Sequence, residues 1–148
     1  MSVNMIKEPI FDWNEELGIA SCTLSDGERE WYAEAICHDD DLDMKSEKTG
    51  CEIALRRARI KALQDQRRTL KAQLRALNQY YYSIKHSKKF NEKSYENKML
   101  QRQINLIKTD LDTFSSMIVD EQQSLRTYLS KKDDFYKHIR KNREKDLK

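Results

Sequence analysis

At 148 residues the chain has room for one domain and a modest core, yet 36% of it is charged and it holds three glycines and a single proline. That composition, free of proline after Pro9, reads as long helix or coiled coil rather than an evenly mixed globule. No run of about 18 apolar residues exists, so no transmembrane helix is expected, and the opening MSVNMIKEPIFDW lacks the basic start and apolar stretch of a secretory signal. The net charge of +3 hides a division. Residues 1–52 hold four basic and fourteen acidic residues, and residues 53–148 hold twenty-four basic and eleven acidic. The two parts are expected to attract one another, within one chain or between copies, and the basic part permits a polyanionic or nucleotide partner.

The first 37 residues predict three strands. IFDW, GIASCTL and EREWYAEAIC are short and carry β-branched or aromatic residues, and NEELG and SDG separate them as turns. In the third, Trp31, Ala33, Ala35 and Cys37 alternate with Tyr32, Glu34 and Ile36, the period of an antiparallel meander with one wet face. A sheet this small needs a lid over its apolar side. HDDDLDMKSEKTG follows as an acidic loop, and residues 1–45 form the meander and loop.

Residues 46–148 predict an antiparallel two-helix coiled-coil hairpin, forming one structural unit with the sheet. The first helix begins between Ser46 and Cys51 and runs to about Ser87. Its seam, residues 53, 56, 60, 63, 67, 70, 74, 77, 81 and 84, alternates steps of three and four. HSKKFNEKSY is the connection. The second seam runs through residues 100, 104, 107, 111, 114, 118, 121, 125, 128, 132, 135 and 139, ending in a charged tail from Lys131 whose end frays. The fold class is therefore α+β: a three-stranded antiparallel sheet packed on a long helical hairpin.

Two arginines interrupt the first seam, and three accounts of them stay open. Arg67 falls level with Phe114 to Glu121 and can pair with Glu121, whereas Arg56 falls near Tyr128 or Lys132. Arg56 can instead snorkel or pair with the acidic sheet. Alternatively Arg56, with Arg57 and the basic stretch to Arg75, forms an anion site, because a guanidinium fork donates two hydrogen bonds to a phosphate. Tyr80, Tyr82 and Tyr95 crowd near the connection without an obvious core task, and arginine with exposed aromatics suits a base and its phosphates, or a protein interface. Beside the second seam, Asn105, Asp112, Val119 and Arg126 recur every seven residues, with Gln122 one turn before Arg126.

Catalytic signatures are missing. Three scattered glycines cannot build a dinucleotide or P-loop turn. Cys37, His38 and Cys51 contain no CxxC pair, so no metal is expected. Asp39, Asp41 and Asp43 start like a calcium loop, but its glycine would fall at Met44 and its glutamate at Gly50. The three cysteines read as free thiols of a reducing cytoplasm. The chain is expected to be no enzyme and to need no cofactor.

The stretches GIASCTLSDGEREWYAEAICH and SEKTGCEIALRRARIKAL, followed by the heptads, resemble the Thoeris anti-defence sponge proteins of bacteriophages, over most of the chain. The resemblance implies an inert cage that assembles through sheet and coiled coil. It implies pockets between subunits that hold cyclic ADP-ribose signals, and in some members cyclic oligonucleotides. The family contacts its ligand through an aromatic residue, an asparagine and two basic residues one helical turn apart. At similar spacing this chain offers Tyr95, Asn105, Gln122 and Arg126. Gln122 departs from the pattern, since an amide can bond a phosphate but not neutralise it. The ligand-binding residues expected are thus Arg56, Arg57, Tyr95, Asn105, Gln122 and Arg126. The expected partners are a cyclic nucleotide and further copies of the chain, dimer or higher, in the host bacterial cytoplasm. Neither a membrane nor a stable DNA or RNA partner is expected. The rival is a coiled-coil interaction module that inhibits a host defence protein.

Overall fold

The computed structural model of the chain describes residues 6–37, 46–87 and 94–146, with the backbone alone at 140 and 143–146. The fold is α+β. Strands β1 (Ile10–Asn14), β2 (Ile19–Ser25) and β3 (Glu30–Ile36) form an antiparallel sheet in the order β1-β2-β3. Two long helices follow and pack on each other, α1 (Glu47–Lys85) and α2 (Tyr95–Asp146). The acidic loop's centre and the middle of the helix connection lie outside the described residues.

Turn chemistry sets the strands. Gly18 takes φ +63° and closes the first turn by donating to the Asn14 carbonyl at 2.9 Å. In the second turn the Asp26 carboxylate accepts the amides of Glu28 and Arg29 at 2.9 and 2.8 Å. Those bonds hold the Asp26 carboxyl below its ordinary pKa, the Arg29 amide being the larger cause. Their contribution to the hairpin is present above the ordinary carboxylate pKa and is lost as pH falls through the lowered one. Side-chain hydroxyls cap both helices. Thr49 N donates to Ser46 Oγ at 3.3 Å, and Asn97 N donates to Ser94 Oγ at 3.3 Å.

The chain divides into two compact units, Met1–Ala62 with Asp120–Lys148, and Leu63–Val119. The boundary crosses both helices, and each unit has its own apolar cluster. In the first unit Cys22, Leu24, Trp31, Ala33 and Ala35 of the sheet meet Ile53, Ala54, Ala58 and Ala62 of α1, with Leu125, Tyr128 and Leu129 of α2 beside them. In the second, Leu63 and Leu70 of α1 meet Phe114 and Ile118 of α2.

The alternation expected in β3 holds: Trp31, Ala33 and Ala35 are buried, and Tyr32, Glu34 and Ile36 are exposed. The α1 seam holds too, since none of its ten positions is exposed. The α2 seam departs at its end. Phe135 is exposed and Tyr136 is buried instead, so the step after Lys132 is four rather than three. The cause is a change of partner. At this level α2 meets the rim of the sheet and the start of α1, where the Tyr136 hydroxyl bonds with Thr49. The charged tail from Lys131 is accordingly helix as far as Asp146.

Alanine at 54, 58 and 62 leaves α1 without bulk on the face it turns to the sheet, so the two backbones approach closely. Gly50 continues that row. A methyl group there would lie 2.9 Å from the Ala20 Cβ and 3.2 Å from the Trp13 ring. Gly→Ala within a helix ordinarily gains about 0.5–1 kcal/mol. Here the clash reverses the sign, and Gly50→Ala is expected to lower stability by about 1–2 kcal/mol, in the range of other overpacked sites. Chemical denaturation of the two proteins side by side checks this; a more stable alanine variant would show that the contact relaxes without cost.

Candidate functional site

Four of the six expected ligand residues lie in the first unit. Arg56 is already engaged. Its Nε donates to Glu52 Oε1 at 2.9 Å, its Nη1 donates to Ser124 Oγ, and its guanidinium carbon stands 5.0 Å from the Tyr128 ring centroid. Sequence spacing placed Tyr128 beside it but overlooked Glu52, one turn back on its own helix, where a Glu followed by Arg four residues on is a favourable pair. Arg57 is exposed and donates through Nη1 to the Glu34 carbonyl at 2.9 Å. One turn on, Lys61 Nζ donates to the Tyr32 carbonyl at 2.7 Å. Gln122 is half-buried on α2, and Arg126 is exposed with no ion pair to a described residue.

The other two lie in the second unit. Tyr95 opens α2 with 76% of its surface exposed and lines a concavity of about 710 Å³. Tyr80, itself 61% exposed, lines it too, with Ile84, Asn97, Leu100 and Gln103. Two aromatic rings, an apolar floor and amides make a wall suited to a planar heterocycle. The concavity also sits at the start of α2, where the helix dipole favours negative charge. Asn105 is exposed ten residues further along α2, about 15 Å at 1.5 Å per residue. The expectation that Tyr80, Tyr82 and Tyr95 are spare to the core agrees with their exposure. Tyr82 packs edge-on to His86 at 4.3 Å between ring centroids.

The second unit also carries an open concavity of about 550 Å³ along α1, lined by Lys71, Leu74, Arg75, Asn78, Gln79 and Tyr82. In the first unit a cleft of about 40 Å³ between Trp13, Cys37, Thr49, Gly50, Lys132 and Tyr136 is water-sized, far too small for a nucleotide. Burial pushes the Cys22 and Cys51 thiols up, and Cys51 adds to the rise at Cys22, so both stay protonated and weakly nucleophilic. Among the described residues no cluster of three metal-ligating side chains occurs, and no helix is long and apolar enough to cross a membrane. His38, Asp39, Asp41 and Asp43 lie outside the described residues.

Compared with known proteins, the chain matches no family model, no curated protein and no solved structure.

Proposed function

We propose that the chain binds and sequesters a cyclic nucleotide signal without turnover, as a phage anti-defence protein acting in the host bacterial cytoplasm. The observation that carries this reading is the 710 Å³ concavity between two largely exposed tyrosines. A nucleobase is a flat guest that two exposed tyrosine rings and neighbouring amides suit. The ligand is a cyclic ADP-ribose type signal, with a cyclic oligonucleotide as the second form of the same chemistry. The lining offers rings, amides, the hydroxyls of Ser87 and Ser94 and the single carboxylate of Glu96, groups that can hold a guest by stacking and hydrogen bonds.

Charge for the phosphates comes from Arg126, whose guanidinium is uncommitted among the described residues, with Gln122 donating beside it. Arg56 is matched by Glu52 on its own helix and reaches Ser124 and the Tyr128 ring of α2. In this reading the working form is a homo-oligomer, as the resemblance implies, with further copies of the chain closing the pocket.

Native mass spectrometry with cyclic ADP-ribose and a series of cyclic oligonucleotides tests the proposal. The expected spectrum shows an oligomer carrying intact ligand, recovered unchanged on denaturation. A ligand returned hydrolysed, or a panel with no retained member, would count against it. The rival reading, an interaction module directed at a host defence protein, draws on the exposed face of the sheet, where Ile10, Tyr32 and Ile36 are uncovered. A single co-purifying protein, with no nucleotide retained, would favour that rival.

A further inference from the structure

We propose that Arg57 and Lys61 are guards of the β3 edge, occupying its outward carbonyls so that a second copy of the chain cannot extend the sheet through that strand. The hydrogen-bond ladder shows which groups face outward. Cys37 donates its amide to the Gly18 carbonyl at 2.8 Å, and Asp26 donates to the Arg29 carbonyl at 3.2 Å. Counting along β3 in twos between these points assigns Trp31, Ala33 and Ala35 to the bonds with β2. Tyr32 and Glu34 therefore turn their carbonyls to the open side. Those are the two that Lys61 and Arg57 fill, at 2.7 and 2.9 Å.

The fit follows from the two periodicities. Positions i and i+4 on a helix are about 6 Å apart along its axis, and positions i and i+2 on a strand are about 6.6–6.8 Å apart. A helix laid antiparallel beside a strand can thus meet every second carbonyl with every fourth side chain. The small residues Ala54, Ala58 and Ala62 bring α1 near enough for Arg57 and Lys61 to reach round the edge.

The edge needs such protection. β3 carries Trp31, Tyr32 and Ile36 in seven residues and is open on one side, the composition and geometry that recruit a further strand. Its self-complementary partner is β3 of a second copy, antiparallel across a two-fold axis. The opposite edge is blunted by other means: β1 has five residues, follows Pro9, and has its Trp13 amide taken by the Asp12 carboxylate at 3.0 Å. Arg57 accordingly engages the sheet through one arm of its guanidinium.

The test replaces both donors while keeping helix propensity and stem length. Sedimentation velocity of Arg57→Met/Lys61→Met is expected to show self-association about tenfold tighter than wild type, with a new infrared band from intermolecular strand pairing. Arg57→Lys/Lys61→Arg is expected to keep the wild-type distribution. Adding Glu34→Pro, which removes an outward amide from β3 without touching the ladder, is expected to reverse the gain. A folded double variant with the wild-type distribution overturns the proposal, as does association that Glu34→Pro leaves intact. Should the double variant unfold, Lys61→Met alone decides, because Arg57 still clasps Glu34: increased association supports the guard, and an unchanged distribution overturns it.

Discussion

Trp31→Ala is expected to cost about 3–5 kcal/mol, the range for deleting a large aromatic from a packed core, and to lower the unfolding temperature by more than 10 °C. Trp31 is buried between sheet and α1, and beside Leu24 on the neighbouring strand its cluster is rich in small residues: Ala33 on its own strand, Ala54, Ala58 and Ala62 on the helix. Alanine side chains cannot lean into a vacated space, so the cavity stays open. The Arg29 guanidinium, 5.6 Å from the indole centroid, loses its ring as well. The damage is expected to be local. The cluster of Leu63, Leu70, Phe114 and Ile118 contains no atom of the sheet unit. Hydrogen exchange should therefore accelerate across β1–β3 while amides near Leu70 and Phe114 keep their protection. A variant melting within about 2 °C of wild type, well inside the shift that even 1 kcal/mol produces, would show that Trp31 is not a keystone.

On the proposed function, Arg126→Ala is expected to weaken cyclic nucleotide binding by about two orders of magnitude, because losing a charge-assisted fork to a phosphate costs about 2–4 kcal/mol. The circular dichroism spectrum should not change, since the side chain is exposed and holds nothing within the described residues. Arg126→Lys keeps the charge but not the fork and should fall between. Tyr95→Ala removes one stacking surface, for about 1–3 kcal/mol. Arg56→Ala is the informative contrast. It releases Glu52, Ser124 and the Tyr128 ring, so it should lower the melting temperature and leave ligand affinity close to wild type. Isothermal titration calorimetry on the four variants separates the roles. Equal losses for Arg56→Ala and Arg126→Ala would return Arg56 to the ligand site, and no loss for Arg126→Ala would remove the phosphate contact.

Much of this architecture is legible from periodicity. Strands of period two and seams of steps three and four are imposed by burial on one face, and burial leaves its mark in residue type. The reading fails where the buried face changes partner. Phe135 continues the heptad, but at that level α2 leaves α1's seam for the sheet rim, and Tyr136, with a hydroxyl to satisfy, takes the interior. It fails again where the partner is backbone. Nothing in the sequence marks the Glu34 and Tyr32 carbonyls as the destinations of Arg57 and Lys61, because every residue has a carbonyl. The pairing of Glu52 with Arg56 is legible in their i,i+4 spacing along one helix. The spare tyrosines were recognisable because they fall off the seam, whereas the hollow between Tyr80 and Tyr95 depends on how the two helices approach at that end.

The row of alanines on α1 bears on how the fold is reached. Alanine has no rotamers to surrender, so that row of the helix settles against the sheet at almost no side-chain entropy cost, and the ordering within the cluster falls on Ile53 of the helix and on Trp31 and Leu24 of the strands. A helix made of long side chains on that face would forfeit mobility at each contact. This one gives up little when it lands, and the indole is the chief group that must find its orientation as the sheet is covered.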